Sequence, residues 1–208
     1  MNDAELENWF AANQHLLESA YLAEQEPWKQ SGFSGSQDRW VICRKPIAAC
    51  IDQPGCFLDI GCANGYLLEC SVKWLAERAV DVIPYGLDIS PSLANLAKQR
   101  LPDFASHIFV GNSWTWTPPF QFDFVRTELI YVPEELREAY VERSLQIFVK
   151  PGGKLLIAEY RSRKDAHLKQ WMLNECLQQW NISVEHYQSG VYQGQELTRV
   201  AVIKNSLH

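Results

Sequence analysis

An α/β fold, a mostly parallel sheet with helices on both faces and a helical extension in front, follows from three features of the sequence. From Cys56 onward, short apolar runs alternate with longer segments of helical periodicity. After residue 180 the alternation gives way to two strand-like runs with no helix between them, so the sheet is expected to finish with an antiparallel strand. The first 54 residues carry two helical patterns separated by a Gly/Ser-rich loop.

Each element has its own signal. Residues 4–23 place Leu6, Trp9, Phe10, Leu16, Leu17 and Tyr21 at the spacing of one helical face. The loop of residues 31–36 (SGFSGS) leads into a second helix containing Trp40, Ile42 and Ile47. Residues 56–60 (CFLDI) read as a buried strand, and residues 65–79 as a helix with Leu67, Leu68, Val72, Leu75 and Ala76 on one side. Residues 82–87 form the next strand, with Pro84 suggesting an irregular start. Ser90 and Pro91 supply an N-cap and a first helical position for a helix running to Leu101. Residues 107–110 and 122–127 are two more strands, and Pro133 opens a helix that Pro151-Gly152-Gly153 stops. Residues 154–160 (KLLIAEY) are a strand, residues 166–179 a helix, and residues 182–187 and 197–204 the two final strands around a loop at 189–196.

Composition sets limits on function. The chain has 208 residues, 47% apolar and 21% charged, with 8 Trp, 8 Tyr and 9 Phe. It buries enough apolar surface for one ordinary domain, which excludes low-complexity disorder. The 19 Lys and Arg against 25 Asp and Glu give a net charge of −6. That balance argues against stable binding of nucleic acid phosphates. The start, MNDAELENWF, lacks the basic-then-apolar pattern of a secretory signal, and the longest charge-free stretch, residues 104–122, holds Gly111, Pro118 and Pro119, so no membrane span is expected. None of the 6 cysteines is paired as C-x-x-C and the 5 histidines do not join them at ligand spacing, so no metal site is expected. Reduced, buried thiols in a cytoplasmic protein are the better reading than a disulfide framework.

The chemistry concentrates in residues 57–69, FLDIGCANGYLLE. A buried strand ends in Asp59, a glycine-rich turn follows, and a helix begins near Gly65. Glycine at such a junction lets the backbone approach a ligand lying across the carboxyl edge of the sheet. A dinucleotide site would need G-x-G-x-x-G, and Ala63 and Tyr66 stand where its second and third glycines belong. Asp59 would also set a negative charge beside a phosphate. A cationic ligand without phosphates suits this turn better. The second strand ends at Asp88, where a carboxylate can accept both hydroxyls of a ribose. The third ends at Gly111-Asn112-Ser113-Trp114, where Asn112 suits an adenine edge and Ile89 and Trp114 offer apolar faces. Read singly, Asp59 and Asp88 are also ordinary helix caps and Asn112 an ordinary turn residue.

In order and spacing, these motifs resemble the class I S-adenosylmethionine-dependent methyltransferase family, from Cys56 to Asn205. The acid and glycine-rich turn (Asp59, Gly61, Cys62, Ala63, Asn64, Gly65), the ribose acid Asp88, the adenine-side Asn112 and the Pro151-Gly152-Gly153 turn stand in the family's sequence. Ala63 replaces a frequent glycine and Asn112 a frequent aspartate. The resemblance implies a Rossmann-like three-layer sandwich with a seven-stranded sheet, order 3-2-1-4-5-7-6, strand 7 antiparallel. It implies S-adenosylmethionine as cofactor and S-adenosylhomocysteine as product. The expected cofactor-binding set is Asp59, Gly61, Cys62, Ala63, Asn64, Gly65, Asp88, Ile89, Asn112, Ser113, Trp114 and Glu128. Residues 55–208 then form the methyltransferase domain, and residues 1–54 a helical extension that closes over the cofactor and selects the acceptor.

The resemblance places the acceptor at residues 126–133, RTELIYVP. Glu128 is the first candidate for a base or for a partner to a cationic substrate, and Tyr131 the second. A capping Glu and a core Tyr are the competing reading. The N-P-P-Y type signature of amino-purine and glutamine methylators is absent, which favours methyl transfer to O, N or S of a small molecule. Protein or RNA methylation and a non-catalytic cofactor-binding module are the alternatives. In the extension, Trp28, Phe33, Arg39 and Trp40 are candidate lid or substrate contacts, with Arg39 suited to the methionyl carboxylate. Two helices packed on the sheet with a surface turn between them is the plainer alternative. Arg161, Arg163, Lys164 and Lys169 read as a solvated basic run.

Overall fold

Side chains along the central strands alternate between two buried apolar layers. The computed structural model describes residues 1–206 except 169. In β5 (Val149–Tyr160), Leu156 and Ala158 join one buried cluster while Leu155 and Ile157 join the other. In β7 (Gln195–Lys204), Val200 and Val202 divide in the same way from Ala201 and Ile203. A strand buried on both faces sits inside a sheet covered on both sides. Helices α2 (Gln37–Ala49), α3 (Tyr66–Ala76) and α4 (Pro91–Arg100) supply Trp40, Ile47, Leu68, Leu75, Ala94 and Ala97 to the first layer. The second layer takes Val141 from α5 (Arg137–Arg143), Phe148 from the turn of π-helix after it, and Leu173 and Leu177 from α6 (Met172–Gln179).

The remaining strands are β1 (Gly55–Ile60), β2 (Val82–Asp88), β3 (Ile108–Val110), β4 (Phe122–Thr127) and β6 (His186–Tyr192). They form one seven-stranded sheet in the order β3-β2-β1-β4-β5-β7-β6. The first five strands are parallel to their neighbours, and β7 runs antiparallel to both β5 and β6. Register brings the chemistry together. Asp59 on β1 lies beside Gly86 on one side and Arg126 on the other, and Asp88 lies beside Val110. The carboxyl ends of four strands thus open at one edge.

Several boundaries differ from those read in the sequence. The segment after Pro133 is broken into a short turn at Glu134–Leu136, α5, and the π turn Ser144–Phe148. Pro151-Gly152-Gly153 does not separate helix from strand but bulges within β5. Pairing with β4 jumps from Phe122↔Val149 to Phe124↔Lys154, and Gly152 takes a left-handed φ of 78°. Asn205 closes the bulge, its carbonyl accepting from the Gly152 N–H and its own N–H donating to the Gly153 carbonyl, both at 2.8 Å. The helix expected at 166–179 starts only at Met172; Lys169 of the basic run lies outside the described residues.

The last hairpin turns on Gln193-Gly194 alone, with φ of 51° and 79°. That two-residue geometry continues the right-handed twist of the strands. Of the residues expected as a loop, 189–196, residues 189–192 are the end of β6, an edge strand whose open face carries Tyr187, Ser189 and Val191, and residues 195–196 begin β7. In α1 (Asp3–Leu22), started by an Asn2–Glu5 capping box, only Phe10 is buried and Leu16 is exposed. The inward stripe runs instead through Trp9, Asn13, Leu17, Glu18 and Tyr21. It is mixed in polarity because α1 covers a cavity rather than the core.

Candidate cofactor and acceptor site

A cavity of about 540 Å³ lies at the carboxyl ends of β1, β2, β4 and β5, roofed by α1, the loop of residues 31–34 and the inner face of α2. The β1–α3 turn forms its floor. Gly61, Ala63 and Gly65 all adopt left-handed conformations, with φ of 72°, 47° and 74°. A Cβ on Gly61 would collide with the Tyr131 ring, which explains glycine there. The Gly61 and Cys62 N–H groups donate to the Leu87 carbonyl at 2.7 and 3.2 Å, locking the turn to the end of β2.

Asp88 completes that lock. One carboxylate oxygen accepts from the Ala63 N–H at 2.8 Å and the other from the Ser90 N–H at 2.9 Å. Each oxygen keeps a further lone pair for a ligand donor. Burial pushes the Asp88 carboxyl up to about 6, against the opposing pull of those two backbone bonds. Ser90 caps α4 through the Leu93 N–H at 3.1 Å, and Glu18 of α1 accepts from the hydroxyls of Ser90 at 2.8 Å and Ser92 at 2.6 Å. The Ser92 and Ser90 hydroxyls hold the Glu18 carboxyl below the usual carboxylate range. These bonds tie the roof to the helix that follows Asp88.

Arg126 organises the other half of the site. This guanidinium is 3% exposed and donates to Asp59 at 3.1 Å, to the Ile60 carbonyl at 3.2 Å, to the Tyr131 and Tyr160 hydroxyls at 3.0 Å, and to Glu128. Asp59 and Glu128 therefore share one counterion, which leaves the trio with one net negative charge. Asp59 is fully buried and its second oxygen, Oδ2, has no partner among the described residues. Burial pushes its carboxyl up to about 6 despite the Arg126 charge. Tyr131 donates to Glu128 at 2.8 Å, and burial raises its hydroxyl well above the ordinary range. Glu128 Oε1 accepts from both Arg126 and Tyr131, which binds the two expected acceptor-side residues to the Arg126 cluster.

Of the residues expected on the cofactor, Asp59, Gly61, Cys62, Ala63, Asp88, Ile89, Asn112, Ser113 and Glu128 line the cavity. Asn64, Gly65 and Trp114 do not. The Asn64 amide donates to the Pro27 carbonyl and to Gln30, both at 3.0 Å, so it anchors the extension to the turn. Gly65 packs against Ala97 of α4. Trp114 joins the cluster that seats Phe10 of α1. Asn112 uses its Oδ1 to accept from the Trp114 N–H at 2.9 Å, an Asx turn that leaves its NH2 group for a ligand. In the extension, Phe33, Arg39 and Trp40 reach the cavity, while Trp28 stands outside it and donates to the Gly35 carbonyl at 3.1 Å.

Sequence reading passed over Arg126, Arg44, Glu18, Tyr160 and the role of Tyr21. A charged residue ending the buried strand FDFVRT was a signal for Arg126. Arg44 shares the α2 face of Trp40, Cys43 and Ile47, where an unpaired charge is out of place. Tyr21 reads as one more apolar position, yet its hydroxyl feels Glu128, Asp88, Arg44 and Arg126 at once. Burial first, then the two carboxylates, push it up to about 12.

Sheet order, the turn after β1 and the acid ending β2 define the Rossmann-like fold of class I S-adenosylmethionine-dependent methyltransferases. The solved structures agree on that fold. The N-methyltransferase NodS of Bradyrhizobium japonicum, in complex with S-adenosylhomocysteine, superposes with a TM-score of 0.64 at 17% identity, over 93% of this chain and 98% of that one. The chain solved with the Haloferax volcanii Trm112 methyltransferase activator gives a TM-score of 0.60 at 17% identity, over 83% and 92%. In sequence, 119 residues are 29% identical to the trans-aconitate 2-methyltransferase of Methylobacterium radiotolerans, a match covering 56% of this chain and 41% of that relative. No family model matches the chain.

Ala63 permits a direct test of the turn. An alanine held at φ 47° carries a left-handed cost of roughly 1–2 kcal/mol that glycine does not. Against the loss of one buried methyl, Ala63→Gly is expected to stabilise the protein by up to about 1 kcal/mol, a rise of about 2–4 °C in thermal midpoint. A fall in midpoint would refute strain at this residue.

Proposed function

We propose that the protein is an S-adenosylmethionine-dependent methyltransferase acting on a small molecule. The observation that carries this reading is the convergence of Asp59, Asp88 and Asn112, from three successive strands of the sheet order, on one cavity floored by a left-handed glycine turn. The residues fit the cofactor. The unpartnered Asp59 Oδ2 suits an ammonium, Asp88 has lone pairs for two ribose hydroxyls, and the Asn112 NH2 suits an adenine edge beside Ile89. Bound there, the cofactor would supply an electrophilic methyl group next to the Arg126 cluster.

The chain's own residues hold and enclose. Asp88 fixes the turn and receives the ribose; Arg126 keeps Asp59 and Glu128 aligned; α1 and the loop of residues 31–34 exclude water, with Arg39 assigned to the methionyl carboxylate. Residues 1–54 serve as lid and acceptor filter, and residues 55–208 as the cofactor-binding domain. A small acceptor is supported by the depth of the roofed cavity and by the organic acid in the name of the sequence relative. No helix among the described residues is long and apolar enough to cross a membrane. We assign the protein to the cytoplasm on its six free thiols.

Transfer of labelled methyl from S-adenosylmethionine into fractionated metabolites, proteins and RNA tests the proposal. Label is expected in the metabolite fraction, with release of S-adenosylhomocysteine. Label confined to protein or RNA would reverse the acceptor assignment, and cofactor binding without any transfer would make the protein a binding module.

A further inference from the structure

Arg39 and Arg44 are cavity arginines with no ion pair among the described residues, and Arg44 is the buried one of the two. It lies on the inner face of α2 and is 8% exposed. Its guanidinium sits 3.5 Å above the centre of the Tyr160 ring and 5.7 Å from that of Phe33. Its Nη1 is sealed from solvent with no hydrogen-bond partner. None of the nearby carboxylates bonds it: Asp59 and Glu128 bond Arg126, whose single charge they share, and Glu159 pairs with Arg161 at 3.7 Å and accepts from the Leu173 N–H at 2.7 Å. A buried cation retained without a partner is costly, and an aromatic face offsets only part of that cost. The planar fork of an arginine matches a carboxylate.

Its place in the sheet separates it from the ribose acid. Asp88 ends β2 and Tyr160 ends β5, and the order β2-β1-β4-β5 sets them three strands apart, about 14 Å at ordinary strand spacing. Arg39, 4.8 Å from the Phe33 ring, remains for the cofactor's carboxylate. Glu128 Oε1 is held by Arg126 and Tyr131, and the Tyr131 hydroxyl donates to Glu128. A carboxylate acceptor needs no base: one of its oxygens bonds the methyl carbon as the carbon–sulfur bond breaks, giving a methyl ester and a neutral thioether with no proton to move.

Resting on the methyltransferase reading, we propose that the acceptor is a small carboxylic acid held as its carboxylate by Arg44, on the face of Tyr160. The site then has two ends. Asp59, Asp88 and Asn112 take the cofactor, and Arg44 selects an anionic acceptor from the far side of the Arg126 cluster.

The test is calorimetric, on protein saturated with S-adenosylhomocysteine, with trans-aconitate and citrate as probes and their trimethyl esters as neutral controls. At least one acid is expected to bind and neither triester to do so. Arg44→Met should weaken the acid by at least about thirtyfold, and Arg44→Lys, which keeps the charge but not the fork, by less. Affinity for S-adenosylhomocysteine should stay within about twofold in both variants. Acids that bind the wild type no better than their triesters would overturn the proposal. So would an Arg44→Met protein that keeps acid binding but loses S-adenosylhomocysteine, because the guanidinium would then serve the cofactor. Should Arg44→Met fail to fold, Arg44→Lys and the acid-against-ester comparison decide the matter alone. A wild type that binds no S-adenosylhomocysteine would instead refute the methyltransferase reading itself.

Discussion

Arg126→Met is expected to lower the free energy of unfolding by about 3–5 kcal/mol, the range found when one partner of a buried ion pair is removed. Arg126 is the shared counterion of Asp59 and Glu128 and also serves the Ile60 carbonyl and two tyrosine hydroxyls. Without it, Asp59 is a carboxylate at 1% exposure with no compensating charge. The pH dependence carries a sign. The folded Asp59 carboxyl, at about 6, already lies above its ordinary value of 3.8, so the folded state binds the proton more tightly than the unfolded chain. Stability from this group therefore falls as pH rises through that window and returns on acidification. Removing Arg126 pushes Asp59 higher still, so the defect should shrink between pH 7 and pH 5. Urea midpoints at the two pH values check this, and the double variant Arg126→Met, Asp59→Asn should lose less than the single one. A loss below about 1 kcal/mol at pH 7 would mean that Arg126 does not hold the site together.

Asp88→Ala should weaken S-adenosylhomocysteine binding about a hundredfold, since hydrogen bonds to a charged group contribute about 1.5–3 kcal/mol each and two are assigned to the ribose. The same substitution frees the Ala63 and Ser90 N–H groups, so part of the loss comes from a loosened turn. Asp88→Asn, which keeps one acceptor, separates the two effects and should fall between wild type and alanine. Because burial sets the free carboxyl near 6 and ribose hydroxyls favour its ionised form, affinity should be full at neutral pH and decline as pH falls below about 6. Unchanged affinity in Asp88→Ala would remove the ribose assignment.

How much of this was legible beforehand depends on where each signal lives. Asp59 and Gly61 are local, since a strand, a turn and the start of a helix fall within residues 57–69, and Asp88 ends the next strand, so the strand–helix order places all three on one edge. The finishing hairpin was legible as an antiparallel pair, but its register was not, because Ser189 and Gly190 look like a turn until their β7 partners Arg199 and Thr198 are known. Arg126, Arg44 and Glu18 escaped for a different reason. Their meaning is set by residues 67, 116 and 72 positions away in sequence, namely Asp59, Tyr160 and Ser90, and no local pattern encodes such pairings. Asn64 and Trp114 lie inside the motifs, but their contacts run to the extension: Asn64 bonds Pro27 and Gln30, and Trp114 packs with Phe10. Asn112 forms a turn through its Oδ1 and also lines the cavity.

A crystal structure with S-adenosylhomocysteine shows whether the cavity at the strand ends holds S-adenosylmethionine in the proposed orientation. Density is expected along the β1–α3 turn, with both ribose hydroxyls within hydrogen-bond distance of Asp88, the amino group beside Asp59 Oδ2 and the adenine edge at Asn112. Density elsewhere, or an empty cavity at saturating ligand, would contradict that placement.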